Sequence, residues 1–360
     1  MLNVTETFLP DINQYIEILK EAWDKKWITN NGSLVVTLEE QLKKYLGVKH
    51  LLFTTNGTIV LQMALKSLKA AADSEIITTP FSYVATTNAI LWEGLQPVFV
   101  DINAIDYTID VTKIEAAITP KTVAILATHV YGNPCDVKAI DIIAKKYNLK
   151  VIYDAAHTFA ATYEQKHILQ FGDIATCSFH ATKVFHTVEG GCITTNDDAI
   201  AKDLYLMRQF GHIGDAYYSV GINAKNSEFH AAMGICNLLH LEEILDARQK
   251  ITALYDSLFS TINISKPIGL VGTQTNYSYY IVRFSDEQVL TKVKKSLENN
   301  TINTRRYFYP SLNTLPMLKN HQHCPISEEI SKAVLALPLS ASTTETDVYK
   351  VFEIIKQELC

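Results

Sequence analysis

Near residues 11 to 24 the apolar positions recur with the spacing of an amphipathic helix. Further along, short apolar runs alternate with longer stretches of helical periodicity. "HLLFTTN" leads into "GTIVLQMALKSL", "EIITTP" into "SYVATTNAILWEG", and "PVFVDI" and "TVAILATHVYG" precede the helix-like "VKAIDIIAKKYN", which "KVIYDAAH" follows. Runs of four to eight apolar residues bounded by turn residues read as strands buried on both faces. Alternating with helices of ten or more residues, they predict an α/β fold with a mainly parallel mixed sheet and helices on both faces.

Beyond about residue 240 the pattern changes. A long helix is predicted over "LEEILDARQKITALYDSLFS", then a strand in "NYSYYIVRF", a charged helix, the segment "TINTRRYFYP", and a closing helix over about 343 to 358. This predicts a large domain over 1–240, including the N-terminal helix, and a smaller C-terminal α/β domain over 241–360. Between the last helices of the first part lies "GHIGDAYYSVGINAKNSEF" (211 to 229), rich in Gly, Asn and Ser without periodicity, which reads as a long ordered or functional loop.

Composition narrows the classes. Of 360 residues 48% are hydrophobic and 19% charged, as in ordinary globular proteins, with a formal net charge of -6 and no block of like charges to attract nucleic acid or an anionic membrane. The N-terminus has no basic region followed by an apolar run, and no apolar stretch approaches the roughly 18 to 20 residues that span a bilayer, so a cytoplasmic location is expected. Cys135, Cys177, Cys192, Cys236, Cys324 and Cys360 form no CxxC pair and are expected to be reduced thiols. "HQHC" (321 to 324) lacks the two-pair spacing of a zinc site, and no metal is expected.

In parallel sheets ligands gather at the carboxyl ends of strands. Those ends carry Gly57 and Thr58, Tyr83, Asp154 and His157, and Ser178 followed by Lys183 in "SFHATKVFHTVEGG". A lysine that forms a Schiff base with an aldehyde cofactor needs an electron sink, which pyridoxal phosphate supplies when a carboxylate keeps its ring nitrogen protonated. Asp154, directly after the apolar "KVIY", can be that carboxylate, and a cationic partner accounts for an acid in an apolar place. Gly57 and Thr58 open a helix whose free N–H groups suit a phosphate, with Ser178 as a further hydroxyl donor. Tyr83 can stack on a planar ring. Taken singly, each has an ordinary alternative as cap, core residue or surface charge.

Together, "YDAAH" and "SFHATKVFHTVEGG", with "TTNGTIVLQMAL" and "TTPFSYVATTNAI" upstream and "GINAKNSEFHAA" downstream, resemble the DegT/DnrJ/EryC1/StrS family of nucleotide-sugar aminotransferases. The resemblance runs from "WITNNGSLVVTLEEQLKKYLG" through "HVYGNPCDV" to "LALPLSASTTETDV", nearly the whole chain. It implies fold type I of the pyridoxal 5'-phosphate enzymes and a homodimer whose active sites lie at the subunit interface. It also implies roles: Lys183 as the Schiff-base lysine, Asp154 as the ring-nitrogen partner, and His157 near the cofactor's phenolic oxygen. Tyr83 is implied as the stacking aromatic, Gly57, Thr58 and Ser178 as phosphate contacts, and Asn223 as a phosphate contact from the neighbouring subunit.

The reaction implied is a ping-pong transfer in which L-glutamate converts the cofactor to pyridoxamine 5'-phosphate, which then aminates a nucleotide-linked keto sugar. Lys183, once freed, moves the proton between carbon atoms. The combination "FHATKVF...EGG" with "GIN.K" resembles most closely the subgroup that converts dTDP-4-keto-6-deoxy-D-glucose to dTDP-4-amino-4,6-dideoxy-D-glucose. Lys225 stands where many members carry an Arg, replacing a bidentate donor by a point charge. Thr29 and Asn30 are candidate sugar contacts, Lys25, Lys26, Lys225, Arg305 and Arg306 candidate diphosphate contacts, and Glu189 a candidate substrate contact. His186 reads as a solvated loop histidine, and Gly190 and Gly191 as a tight turn into the strand "CITTN". The alternatives are a C3 aminotransferase, an enzyme of UDP- or GDP-linked sugars, and a non-catalytic regulator that binds the cofactor. A nicotinamide enzyme is disfavoured, since no GxGxxG follows the first strand.

Overall fold

The computed structural model describes residues 1–318 and 321–359. Seven strands form the central sheet: β1 (His50–Thr54), β2 (Glu75–Thr78), β3 (Gln96–Phe99), β4 (Thr122–Thr128), β5 (Lys150–Asp154), β6 (Ile174–Ser178) and β7 (Gly191–Thr195). Their spatial order is β1-β7-β6-β5-β4-β2-β3. Pairs β3/β2, β2/β4, β4/β5 and β5/β6 are parallel, whereas β7 runs antiparallel to both β6 and β1. The sheet is therefore mainly parallel, as the alternating pattern predicts, with a single reversed strand.

The two-residue period of a strand distributes its apolar side chains between the faces. Ile77, Ile125, Val151, Tyr153, Ala175 and Cys177 join one core, while Ile76, Ala124, Leu126, Ile152 and Ile174 join another on the opposite face. Helix α1 (Ile12–Asp24), α2 (Ser33–Leu46), α5 (Val111–Ala117), α6 (Val137–Tyr147) and α8 (Glu228–Leu239) contribute to the first. Against the second pack α3 (Gly57–Ser67), α4 (Val84–Trp92) and α7 (Asp198–Arg208). With both faces covered, the strands can be continuous apolar runs.

A further core lies in the last third of the chain. There β8 (Tyr280–Arg283) pairs antiparallel with β9 (Val334–Leu337). Around this ribbon pack α9 (Leu241–Phe259), α10 (Glu287–Asn299) and α12 (Glu345–Leu359), burying Tyr255, Phe259, Leu290, Val293, Val351 and Phe352. Helix α11 (Pro325–Ala333) leads directly into β9. A smaller aromatic cluster with Phe81, Tyr107, Tyr131, Tyr307 and Phe308 joins this region to the carboxyl edge of the sheet.

Register places the site. Thr128 pairs with Asp154, Asp154 with Thr176, and Ser178 with Gly191, which also pairs with Thr54. The carboxyl ends of β4, β5, β6 and β1 and the first residue of β7 therefore lie along one edge. The loop over 211–229 contains a short bridge, His212–Ile213 with Ala216–Tyr217, and ends where Ser227 caps α8. The five described cysteines are buried free thiols, and Cys360 lies outside the described residues. Among the described residues no helix is long and apolar enough to cross a membrane.

Candidate active site

A cavity of about 270 Å³ opens along that edge. Lys183, Asp154 and His157 line it beside Ser178, the start of α3 at Gly57 and Thr58, and Tyr83. Glu189 and Arg305 reach it as well. The strand ends thus converge as sequence order suggested, although the residues come from points up to 248 positions apart, Gly57 to Arg305.

Asp154 is buried at 5% exposure on the last residue of β5. Its Oδ2 accepts the hydroxyl of Thr86 at 2.7 Å and its Oδ1 the N–H of Ala156 at 3.2 Å. Because a carboxylate only accepts, Thr86 donates to it, Ser82 donates to Thr86 at 2.7 Å, and Thr128 donates to Ser82 at 3.0 Å. This one-way relay was missed from sequence; the hydroxyl-rich "TTPFSYVATT" at a strand end was its only signal. Burial pushes the Asp154 carboxyl above its usual range, against the pull of Thr86, the Ala156 amide and the Lys183 charge. The carboxylate is hydrogen-bonded by neutral donors, and among the described residues the Lys183 charge acts on it without a direct bond.

Burial pushes the Lys183 amine below its ordinary value, opposed by Tyr307, Asp154 and Cys177 and reinforced by Arg305. His157 is buried and neutral, its pKa driven well down by burial and then by the Lys183 charge. Its ring stacks on Phe308 at 5.5 Å with a 6° tilt and meets Tyr279 edge-on at 4.8 Å. Its Nδ1 is buried without a partner. Tyr307 and Phe308 are cavity residues that the sequence reading passed over, although they stand in the aromatic run "RRYFYP".

At the other end, Asn56 caps α3 by accepting the N–H of Ile59 at 2.9 Å. The earlier amides, Gly57 and Thr58, point out of the helix start without an intrahelical acceptor. A Cβ on Gly57 would lie 2.8 Å from the Cβ and 3.1 Å from the Oγ of Ser178, so glycine is required by space, not by φ. Tyr83 occupies the cap position of α4 and is half-exposed.

Other expected residues stand elsewhere. Arg306 is bound to Glu287 at 2.7 Å and lies over Tyr309, outside the cavity lining, whereas the adjacent Arg305 lines it with its guanidinium 4.6 Å from the Tyr307 ring centre. Lys25 pairs with Glu21 at 2.6 Å, and Lys26, Thr29 and Asn30 lie on the exposed turn after α1. Lys225 donates to Asn223 Oδ1 at 2.9 Å, and neither lines the cavity. One expectation is corrected. His186 is not solvated but 1% exposed, because its ring packs between the N-terminal segment and α8. Gly190 and Gly191, at the turn into β7, supply room: a Cβ would lie 2.0 Å from Thr187 Oγ1 at Gly190 and 2.8 Å from the Asn56 and Cys177 backbone at Gly191. The left-handed residue is Val188, at φ 67°.

Residues 11–356 match the DegT/DnrJ/EryC1/StrS aminotransferase family. The chain belongs to this family. It is 38% identical to the dTDP-4-amino-4,6-dideoxy-D-glucose transaminase of Shigella dysenteriae over 98% of each chain. It is 37% identical to the enzyme of the same description from Escherichia coli, over 98% of this chain and 97% of the relative. The structure of DesI, solved in the presence of its TDP-sugar product, superposes with a TM-score of 0.93 at 29% identity, covering 99% of this chain and 92% of that one.

The family implies pyridoxal 5'-phosphate, and the cavity fits that group. A buried carboxylate hydrogen-bonded only by neutral donors suits a protonated ring nitrogen, and the Gly57–Ser178 space that a Cβ would fill suits a phosphate at a helix start. The unpartnered His157 Nδ1 offers one more polar contact. As a family member, the chain is a transaminase.

Proposed function

We propose that the protein transfers an amino group from L-glutamate to dTDP-4-keto-6-deoxy-D-glucose, forming dTDP-4-amino-4,6-dideoxy-D-glucose, as a homodimer with shared active sites. The observation that carries this reading is the meeting of Lys183, the buried Asp154 and the α3 start in one cavity, in a chain so similar to transaminases of that sugar. Bound pyridoxal 5'-phosphate supplies the carbonyl that receives the amino group and the electron sink for carbon acidity.

The chain's own residues set the rest. Gly57 and Thr58 amides and the Ser178 hydroxyl bind the phosphate, and Tyr83 covers the ring. Asp154, fixed by the Thr86–Ser82–Thr128 relay, holds a proton at the ring nitrogen, and the neutral His157 ring, packed on Phe308, fixes its other edge. Lys183, whose basicity burial lowers, would anchor the carbonyl and, once freed, would take and return the proton moved between carbons. Glu189 and Arg305 face the substrate from the same chain. Thr29, Asn30, Asn223 and Lys225 stand clear of the cavity in one subunit, and we assign them to the neighbouring subunit's site, where Asn223 reaches the phosphate.

The test is glutamate-dependent amination of dTDP-, UDP- and GDP-linked 3-keto and 4-keto sugars, with the product position read by NMR. The 4-amino dTDP sugar is expected, and a clear preference for a 3-keto sugar would overturn the choice of carbon. Lys183→Ala is expected to abolish turnover, and full activity in that variant would sink the assignment.

A further inference from the structure

The turn that follows Lys183 is held by more bonds than a surface turn needs. His186 Nδ1 accepts the N–H of Val188 at 3.1 Å, so this nitrogen is unprotonated. The ring proton therefore sits on Nε2 and is donated to the Phe8 carbonyl at 2.7 Å. Asn237 Nδ2, on α8, lies 3.1 Å from that Nε2, but two donors make no bond; it donates instead to the His186 carbonyl at 2.8 Å.

Val188 is β-branched and half-exposed, yet adopts φ 67°, a conformation that persists only when the surroundings enforce it. The next residue is fixed too. The Glu189 carbonyl accepts Thr187 Oγ1 at 2.9 Å and Asn226 Nδ2 at 3.1 Å, and Asn226 also donates to the Thr54 carbonyl at the end of β1. With its backbone held, Glu189 leaves its side chain 55% exposed on the cavity wall, 3.6 Å from His180 Nε2.

We propose that His186 is a positioning residue whose bond to the Val188 amide holds the Glu189 carboxylate against the acceptor sugar, with Phe8 anchoring the ring from the N-terminal segment. This rests on reading the cavity as a sugar transaminase site. Within that reading it assigns Glu189 to the second half of the reaction, because a carboxylate accepts hydrogen bonds from sugar hydroxyls.

The two amide substitutions divide the ring's functions. His186→Asn places Oδ1 near the Nδ1 position and keeps the acceptor for Val188; His186→Gln places its amide near Nε2 and keeps only the tie to Phe8. On protein loaded with pyridoxal 5'-phosphate, the glutamate half-reaction is followed by cofactor absorbance. The second half-reaction is followed on the pyridoxamine 5'-phosphate form with dTDP-4-keto-6-deoxy-D-glucose. His186→Gln is expected to lower kcat/KM for the sugar about tenfold or more, as loss of one buried bond implies, with the glutamate half-reaction changed less than about twofold. Glu189→Gln should show the same selectivity, and the double variant should be no worse than the poorer single one. His186→Asn should stay within about threefold of the native protein. Hydrogen exchange at Val188 should accelerate in the Gln variant and not in the Asn variant.

Equal losses in both half-reactions, like behaviour of the Asn and Gln variants, or an unaffected sugar step in Glu189→Gln would overturn the proposal. If His186→Gln does not fold, Thr187→Val cuts the neighbouring bond to the Glu189 carbonyl and must show the same selective loss. Native protein that transfers nothing from glutamate to the sugar would instead overturn the proposed donor and acceptor, while the exchange contrast at Val188 would still test the brace.

Discussion

At the scale of single residues, the site is a set of polar groups whose neighbours have been chosen to leave something undone. Asp154 is surrounded by neutral donors, and His157 keeps a buried nitrogen without a partner. Gly57 leaves the space that its own Cβ would fill. Each is a cost that a bound group offsets. Gly57→Ala is expected to fold, since its backbone is not in the left-handed region, but to bind the cofactor at least about tenfold more weakly because the Cβ crowds Ser178. Titration of apo-protein with pyridoxal 5'-phosphate checks this, and an unchanged midpoint would move the phosphate elsewhere. Residue types at strand ends made Lys183, Asp154, Gly57 and Ser178 legible in sequence. The relay behind Asp154 was not, because threonine and serine are equally at home in turns and caps.

At the scale of elements, local signals placed most helices and strands, and the caps show why. Asp286 accepts the N–H groups of Gln288 and Val289 at 2.8 and 2.9 Å at the start of α10. Asp286→Ala should therefore cost about 1 kcal/mol of stability, read as a lower urea midpoint with unchanged slope. Helix α2 differs. Gly32 at its cap position offers no side chain, and the N–H groups of Leu34 and Val35 are taken by the buried Glu228, 194 and 193 residues away on α8. No reading of the segment "NNGSLVV" could show that, since the acceptor arrives only when α2 and α8 pack. His186 was misread for the same reason: its partners, Phe8 and Asn237, lie 178 and 51 positions away.

At the scale of the whole molecule, the cavity is assembled where the C-terminal segment carrying Arg305, Tyr307 and Phe308 meets the sheet edge. This assembly buries histidines in the neutral state, with a consequence for pH. His129, stacked on Tyr153 and accepting the Cys135 N–H through Nδ1, has its pKa lowered by burial to about 3. Its folded value lies below the ordinary 6.5, so the unfolded chain binds the proton first, and stability is lost as pH falls from 6.5 toward 3. At pH 5 this one group should cost about 2 kcal/mol. His129→Asn keeps an acceptor for Cys135 without a titrating ring. Urea midpoints at pH 7.5 and 5 should differ less in that variant than in the native protein, and equal differences would show that His129 is not responsible.

The sequence by itself determined the alternation of strands and helices, the burial of the sheet on both faces, and the chemical identities at the strand ends, because periodicity and turn chemistry are local properties of the chain. Tertiary structure alone decided that Asp154 is hydrogen-bonded by neutral donors, that Arg305 faces the cavity while Arg306 is spent on Glu287, and that Val188 is held in a left-handed turn by His186. Those outcomes depend on which distant groups arrive to bond or to exclude water, and a charge or a strained dihedral has no meaning until they do.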